Sequence, residues 1–134
     1  MPFVVDASVA ANWLLPDEEP EALEAWRRIA DDPALVPQHW WFEVRNVLLT
    51  AERRQRISPD STTFILDRLA RIRITFVAQP NDGSVFALAR RHHLTFYDSA
   101  YLELAMREQI ALATLDLALA AAAKREGVAL VLAT

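Results

Sequence analysis

The sequence contains no cysteine and only two glycines, Gly83 and Gly127. Without thiols it can form neither a disulfide framework nor a zinc site with thiolate ligands, which suits a cytoplasmic protein. Two isolated glycines cannot build the GxGxxG or GxxxxGK loops that hold phosphates, so most P-loop and Rossmann nucleotide-binding folds are excluded. None of the three histidines stands four positions from another, so a helical pair of histidine ligands is excluded and we interpret all three as ordinary residues.

Long hydrophobic runs are also missing. The chain opens at Met1 without a basic segment and reaches only a short apolar run before Asp6, so no targeting signal is expected. No segment approaches the roughly 18 uncharged residues of a membrane helix. A net charge of −4 argues against coating nucleic acid through bulk electrostatics. Thirteen arginines against one lysine suit phosphate recognition, but a GC-rich coding bias explains them more simply.

Short apolar strands alternate with amphipathic helices along the whole chain. This alternation predicts a single α/β domain over residues 1–134, with three layers and a central, mainly parallel sheet covered by helices on both faces. The predicted strands span residues 3–5, 34–36, 74–78, 110–114 and 128–132. The predicted helices span residues 9–15, 21–30, 39–55, 59–71, 84–92, 99–108 and 117–125, with an acidic loop at 17–20.

Four of the eighteen acidic residues stand within apolar sequence: Asp6 in FVVDAS, Glu43 in WWFEVRNVLL, Asp98 in LTFYDSAYLELA and Asp116 in LATLDLALA. Taken singly, the three aspartates suit helix N-caps and the glutamate suits a rim position. Asp98 is expected to head the helix over 99–108. Taken together, three of the four follow a strand or head the next helix, and the carboxyl ends of parallel strands meet at one edge of a sheet.

Four carboxylates at one edge would repel one another unless a cation joined them. Oxygen ligands without histidine or cysteine select Mg²⁺ or Mn²⁺, and Mg²⁺ usually takes its remaining ligands from water and a phosphate substrate. The predicted reaction class is metal-assisted hydrolysis of a phosphodiester.

Four stretches occur in order over nearly the whole chain: VVDASVAANWLLPDEE, VPQHWWFEVRNVLLTAERRQRIS, LARRHHLTFYDSAYLELA and ALATLDLALAAAAKREGV. In these stretches the chain resembles the PIN-domain ribonucleases, specifically the VapC-type toxins of type II toxin–antitoxin pairs. The resemblance implies an endoribonuclease that cleaves RNA, forms a homodimer and is inhibited by a small VapB-like antitoxin. It implies a catalytic Mg²⁺ or Mn²⁺ pocket formed by Asp6, Glu43, Asp98 and Asp116, with support from Ser8, Asn46 and Thr114.

Two positions depart from the pattern of similar family members. Leu117 follows the fourth acid where a basic residue is common, and Asn12 stands in the first helix where a lysine is common. Both changes remove positive charge near the expected RNA path and leave the metal ligands untouched.

A non-catalytic binding domain, either PIN-like or receiver-like, is the alternative. A phospho-receiver needs a lysine beside its acidic pocket, and the chain has only Lys124. A phosphatase of the haloacid dehalogenase type needs a second aspartate where Ser8 stands. A PIN-like module kept only for binding would be free to lose its acids, whereas this chain retains all four.

Apolar side chains are more numerous than a core of this size needs. Trp13, Leu14 and Trp26, on the first two predicted helices, are candidates for a groove that binds an antitoxin segment. The surplus of aromatics at Trp40, Trp41 and Phe42 favours a dimer face, although core packing accounts for half or more of these apolar side chains.

Overall fold

The computed structural model describes residues 1–15 and 22–131. Within these ranges, four short strands pair in parallel to form one sheet. The strands are β1 (Phe3–Val5), β2 (Ala34–Val36), β3 (Ile74–Phe76) and β4 (Leu112–Ala113). Their order across the sheet is β3-β2-β1-β4, so β1 and β2 are the central strands. The predicted α/β class with a parallel central sheet is confirmed.

In the same described ranges, seven helices follow or connect the strands. They are α1 (Ala7–Leu14), α2 (Leu23–Arg28), α3 (Trp40–Arg53), α4 (Pro59–Leu69), α5 (Asp82–His92), α6 (Phe96–Glu108) and α7 (Leu117–Arg125). All seven correspond to predicted helices, although their ends differ by a few residues. The predicted acidic loop at 17–20 lies outside the described residues. None of these helices is both long and apolar enough to cross a membrane.

The strand order explains how helices cover both faces of the sheet. The chain moves from β1 through β2 to β3 in one direction and then returns past β1 to β4. Because crossovers between parallel strands are almost always right-handed, α1 to α4 lie on one face and α5 and α6 on the other. In agreement, α1 packs on α3, whereas α6 packs on β1, β4 and α7. The direction reverses between β1 and β4, and at such a point the carboxyl ends of the strands leave a crevice.

Strand β1 forms the centre of the core. Its three side chains, Phe3, Val4 and Val5, are fully buried, because neighbouring strands and helices cover both of its faces. Burying side chains of this kind stabilises the fold by about 1.5–3 kcal/mol each. The first polar residue after this strand, Asp6, is therefore held by one of the most tightly packed parts of the chain.

Side-chain caps fix where five of the described helices begin. The capping residues are Asp6 for α1, Ser58 for α4, Asn81 for α5, Thr95 for α6 and Asp116 for α7. The expectation that Asp98 heads its helix is therefore wrong. Helix α6 begins two residues earlier, at Phe96, because the hydroxyl of Thr95 accepts the N–H of Asp98 at 3.0 Å. Asp98 lies inside the first turn of α6.

Strands β1 and β2 have their predicted bounds, whereas β3 and β4 are shorter than the apolar pattern predicts. β3 ends at Phe76. The carbonyl of Val77, the next residue, accepts a hydrogen bond from the side-chain amide of Gln38 at 2.7 Å. β4 begins at Leu112, because the N–H of Ile110 is used by the carbonyl of Ala105 at the end of α6.

The predicted strand over 128–132 is wrong for the residues that are described. Leu130 makes a single parallel bridge with Leu112, and residue 132 lies outside the described ranges. The turn before it follows the prediction, since Gly127 has a φ of +76°, the left-handed conformation favoured just after a helix.

Candidate active site

Asp6 lies at the carboxyl end of β1, next to the reversal of strand order, and is only 4% exposed. Its Oδ1 accepts the N–H of Val9 at 3.1 Å, so Asp6 caps α1. This agrees with the interpretation of Asp6 as a helix N-cap. Capping occupies only part of the carboxylate, because each oxygen also accepts a hydrogen bond from a hydroxyl group. Asp6 therefore has a richer environment than a helix cap needs.

Two hydroxyl groups bind the two oxygens of Asp6. Ser8 Oγ donates to Oδ1 at 2.6 Å, and Thr114 Oγ1 donates to Oδ2. Each hydroxyl also accepts a backbone N–H from the turn after β4, Ser8 from Leu115 at 2.9 Å and Thr114 from Asp116 at 3.0 Å. Since each hydroxyl has one proton, accepting those N–H groups leaves that proton for Asp6.

Opposing influences act on the pKa of Asp6. Burial raises it, because a charge is costly away from water, and the negative charge of Asp98 raises it further. The hydrogen bonds from Ser8, Thr114 and Val9 lower it by stabilising the ionised form. Burial dominates, so the pKa lies above its ordinary value. A cation beside this carboxylate would relieve the cost.

Asp116 follows β4 and caps α7, where its Oδ1 accepts the N–H of Leu119 at 2.8 Å. The predicted cap is confirmed. Its backbone N–H bonds to Thr114, which donates to Asp6, so a single hydroxyl connects the backbone of one acid to the carboxylate of the other. The side chain of Asp116 is exposed and available to solvent.

The carboxylate of Asp98 interacts electrostatically with two other acids, Glu43 and Asp116. It is half-buried in the first turn of α6, and burial raises its pKa, as do the negative charges of Asp116 and Glu43. The Thr95 hydroxyl and the His39 ring lower it by smaller amounts. An acid whose pKa responds to carboxylates from α3 and from the start of α7 lies near both. Within the described residues, however, no three of these acids lie close enough together to form a metal site.

Glu43 lies in the first turn of α3 and is held by an aromatic residue of α6. The buried hydroxyl of Tyr101 donates to Glu43 Oε1, and His39 Nε2 lies 3.5 Å from the same oxygen. Burial and the neighbouring acids raise the pKa of Tyr101, so the hydroxyl keeps its proton and acts as a donor. Glu43 is thus fixed by neighbours on both α3 and α6.

His39 is a site residue that the sequence reasoning set aside as ordinary. Its Nε2 lies 3.1 Å from the backbone carbonyl of Tyr97, which can only accept, so Nε2 carries the proton. Its ring packs edge-on against Tyr101, with centroids 4.9 Å apart. Its position four residues before Glu43 was visible in the sequence, since residues at that spacing share a helix face. The other two histidines lie elsewhere: His92 is paired with Glu126, and His93 ends α5.

Two residues do not fit the expected roles. Asn46, predicted to support the pocket, is exposed on α3, and no hydrogen bond to a described residue fixes its amide. Asn12, interpreted as a lost positive charge, instead accepts the N–H of Ala22 at 3.1 Å and so connects α1 to the start of α2. Leu117, by contrast, is 87% exposed beside Asp116, where a basic side chain would have free access to solvent.

The donor set suits a hard divalent cation, although it does not close around one. Within the described residues, no three His, Asp or Glu side chains lie close enough together to form a preassembled metal site. Carboxylates that repel one another stay apart without a cation. Mg²⁺ and Mn²⁺ accept a few carboxylates and complete their coordination with water or phosphate. Asp6, Glu43, Asp98 and Asp116 fit such an open site better than a closed one.

An apolar groove of about 980 Å³ adjoins the acids. His39, which lies 3.5 Å from Glu43, lines this groove together with Tyr97, whereas none of the four acids does. Several exposed rings surround it, and two pairs of them are in contact, with centroids 4.9 and 4.8 Å apart. We refer to the following 39–69% exposed side chains as the aromatic patch: Trp41, Phe42, Phe76, Phe86, Phe96 and Tyr97.

A second apolar region lies on α1, α2 and α4. The rings of Trp13 and Trp26 are 5.7 Å apart, and Trp13 Nε1 donates to the Ala22 carbonyl at 3.3 Å. Trp26 is 40% exposed, whereas Leu14 is buried and only contributes to the lining of a small cavity beside Phe64. Trp13 and Trp26 thus form a surface feature, and Leu14 belongs mainly to the core.

Comparison with known proteins identifies the fold. The PIN domain model matches residues 3–125. Among solved structures, PAE2754 from Pyrobaculum aerophilum superposes with a TM-score of 0.70 at 24% identity, over 91% of this chain and 84% of that one. FitAcB from Neisseria gonorrhoeae gives 0.61 at 17% identity, over 96% and 95%. VapC20 from Mycobacterium tuberculosis, a toxin that cleaves the sarcin–ricin loop, gives 0.62 at 20% identity, over 90% and 94%.

No curated protein sequence matches the chain. The family match nevertheless extends from β1 to the end of α7 and includes every one of the four acids. The chain therefore belongs to the PIN domain family.

Proposed function

We propose that this protein is a Mg²⁺- or Mn²⁺-dependent endoribonuclease that acts as the toxin of a toxin–antitoxin pair. The observation that carries the proposal is the position of Asp6 and Asp116 after the neighbouring parallel strands β1 and β4, where the Thr114 hydroxyl bonds to the carboxylate of Asp6 and the backbone N–H of Asp116. Carboxylates brought together in this way, at the carboxyl edge of a parallel sheet, suit a hard cation and a phosphate substrate.

The chain supplies fixed carboxylates and needs no side-chain nucleophile. When bound, the metal would polarise the scissile phosphate and lower the pKa of an attacking water. Asp6 is held rigidly by Ser8 and Thr114, so it offers its oxygens in one orientation. Glu43 is oriented by Tyr101, and the exposed carboxylate of Asp116 is open to an incoming substrate.

RNA as the substrate is supported by the family and by the sequence motifs. PIN domains are typically nucleases, and the stretches around the four acids resemble those of VapC-type toxins. The fold is also similar to that of VapC20, a toxin that cleaves the sarcin–ricin loop. These similarities favour a toxin that cuts RNA.

The test is cleavage of defined RNAs by purified protein, compared with the Asp98→Asn and Glu43→Gln variants. We expect cleavage with Mg²⁺ or Mn²⁺, none in EDTA, and a loss of at least about 100-fold in each variant, because both substitutions remove a ligand charge. Asp82→Asn is a matched control, since Asp82 is an exposed acid at the start of α5. Cleavage that persists in EDTA, or in both variants, would exclude the metal mechanism.

The alternative of a receiver-like domain disagrees with the geometry. Lys124 lies in the last turn of α7, while Asp116 caps the first. Eight residues of helix separate them, which is about 12 Å along the axis, so this lysine does not reach the acids. A binding-only PIN domain would show none of the metal-dependent cleavage tested above.

A VapB-like antitoxin is the proposed partner for the surface around Trp13 and Trp26. The two rings, on neighbouring helices, contact each other at a tilt of 59° and leave Trp26 40% exposed, which suits the apolar face of a bound peptide helix. An arginine or lysine extending from the antitoxin to the acids would neutralise their charge and block metal or RNA.

The aromatic patch supports the proposed homodimer. Monomeric proteins seldom expose six large rings in one region. Two copies related by a two-fold axis would bury the same patch on both partners. The patch draws its rings from α3, β3, α5 and α6, whereas Trp13 and Trp26 lie on α1 and α2, so the two proposed contacts use different residues.

A further inference from the structure

Glu43 is engaged through only one of its two carboxylate oxygens. The Tyr101 hydroxyl donates to Oε1, and the nearest His39 nitrogen also approaches Oε1, at 3.5 Å. No hydrogen bond from a described residue reaches Oε2. The carboxylate is therefore held from one side, and the other oxygen has its electron pairs available.

The two groups beside Oε1, the Tyr101 hydroxyl and the His39 ring, are themselves held by their neighbours. Tyr101 is 1% exposed and lies one turn after Asp98 on α6. The His39 ring is wedged between Tyr101 and Tyr97, with centroids 4.9 and 5.4 Å away, and its Nε2 proton points to the Tyr97 carbonyl. Burial therefore holds Tyr101 in place, and two ring contacts and a hydrogen bond hold His39.

We propose that Tyr101, with His39 in a secondary role, is a positioning residue that makes Glu43 a one-oxygen ligand. The hydroxyl binds Oε1 and leaves Oε2 to face a divalent cation. This inference rests on the proposed function, because it assumes that Glu43 binds metal. It adds that an aromatic hydroxyl, itself outside the ligand set, decides how Glu43 binds.

The physical reason is orientation. A free glutamate samples several rotamers, and selecting one on metal binding costs conformational free energy. The buried hydroxyl selects the rotamer in advance, so less is lost when the ion arrives. Groups that orient a metal ligand typically change metal affinity by 10- to 100-fold.

The experiment measures Mn²⁺ binding without RNA, by electron paramagnetic resonance of free Mn²⁺, in Tyr101→Phe. This substitution keeps the ring and removes only the hydroxyl. We expect the Mn²⁺ dissociation constant to rise about tenfold. Cleavage should fall at low Mn²⁺ and recover substantially at saturating Mn²⁺, a pattern that a merely structural role would not produce.

Two further variants control the measurement. Tyr97→Phe removes the hydroxyl of an exposed tyrosine four positions away and should bind Mn²⁺ as wild type does. His39→Phe keeps a ring between the tyrosines, removes Nε2, and should weaken binding less than Tyr101→Phe because its contact is longer. If Tyr101→Phe does not fold, His39→Phe still tests whether the groups at Oε1 orient Glu43.

Glu43→Gln separates failure of the inference from failure of the proposed function. If Glu43→Gln weakens Mn²⁺ binding while Tyr101→Phe and His39→Phe do not, the inference is overturned and the proposed function stands. If Glu43→Gln itself binds Mn²⁺ as wild type does, Glu43 is not a ligand and both are overturned. In the Glu43→Gln background, Tyr101→Phe should add no further effect, because the group it positions is changed.

Discussion

Thr95 caps helix α6 by accepting, through its hydroxyl oxygen, a 3.0 Å hydrogen bond from the backbone N–H of Asp98. Capping is thus assigned to Thr95, and the carboxylate of Asp98 is not needed to begin the helix. Its raised pKa instead reflects burial and the charges of Asp116 and Glu43. The free energy of unfolding should report this difference.

Asp98→Asn should stabilise the metal-free protein. A pair of like charges about 6 Å apart costs up to about 3 kcal/mol at an effective dielectric near 20, and solvent screening of a half-exposed group leaves roughly 1 kcal/mol. Because the folded pKa is raised, the folded state binds more protons than the unfolded one, and wild type loses stability as pH rises from about 4 towards the raised pKa. The advantage of Asp98→Asn should grow over that range.

Chemical unfolding at several pH values in EDTA, and then in Mn²⁺, measures this effect. Mn²⁺ should stabilise wild type more than Asp98→Asn. Equal stability of the two proteins in EDTA at every pH would show that the acids do not interact in the folded state.

Thr114→Val should destabilise the protein by about 1–3 kcal/mol, because it leaves the N–H of Asp116 unpaired and removes a donor to Asp6. Without that donor the pKa of Asp6 rises further, so the variant should lose stability more steeply as pH increases above about 4. Unfolding at pH 5 and 8 checks both effects. Thr63→Val, which loses only an exposed bond of 3.3 Å to Pro59 in α4, is the control; an equal loss in both variants would contradict the prediction.

Trp26→Ala should weaken binding of the antitoxin by about 2 kcal/mol or more, the usual loss when a central aromatic anchor is removed. The partner to test is the product of a short adjacent reading frame, and calorimetry gives the dissociation constant. Trp41→Ala matches it, because Trp41 is a tryptophan of similar exposure, 45% against 40%, on a different helix, α3. Unchanged binding by both Trp26→Ala and Trp13→Ala would rule out this surface as the groove.

Phe42→Glu should convert the proposed homodimer to monomer, because a charge at the most exposed ring of the aromatic patch, 69% exposed, would be buried without a partner. Sedimentation equilibrium gives the mass in solution. Phe64→Glu makes the same change at a 62% exposed ring on α4 and should leave the dimer intact. If Phe42→Glu remains dimeric and Phe64→Glu does not, the dimer forms through the other face.

Local sequence signals predicted the backbone framework of the site. Asp6 and Asp116 were placed correctly because each directly follows an apolar strand and has the spacing of a helix cap. The start of α6 was misplaced because Thr95 and Asp98 are both good capping residues, and local chemistry alone does not rank them. The last predicted strand forms only one bridge, at Leu130. Its apolar pattern could not show this, because strand pairing depends on the position of a neighbouring strand.

The contacts that orient Glu43 were beyond sequence reasoning for a different reason. Tyr101 and Glu43 are 58 positions apart, and their hydrogen bond exists only because α3 and α6 meet beside the sheet. Within its own segment, Tyr101 has the sequence pattern of an ordinary core aromatic residue. The role of His39 was easier to predict from the sequence, because His39 stands only four positions before Glu43.

Helix α3 presents Trp41 and Phe42 outward and Glu43 towards the site on three consecutive residues. A helix shifts as a rigid rod with a rise of about 1.5 Å per residue, so a slide of one residue would carry Glu43 out of reach of Tyr101. Substituting exposed side chains at this face could therefore create a new oligomeric contact without disturbing the site. Moving the helix would instead break the hydrogen bond between Tyr101 and Glu43. For protein engineering, a new interface at this face is therefore best built by changing the exposed side chains of α3 and leaving its backbone in place.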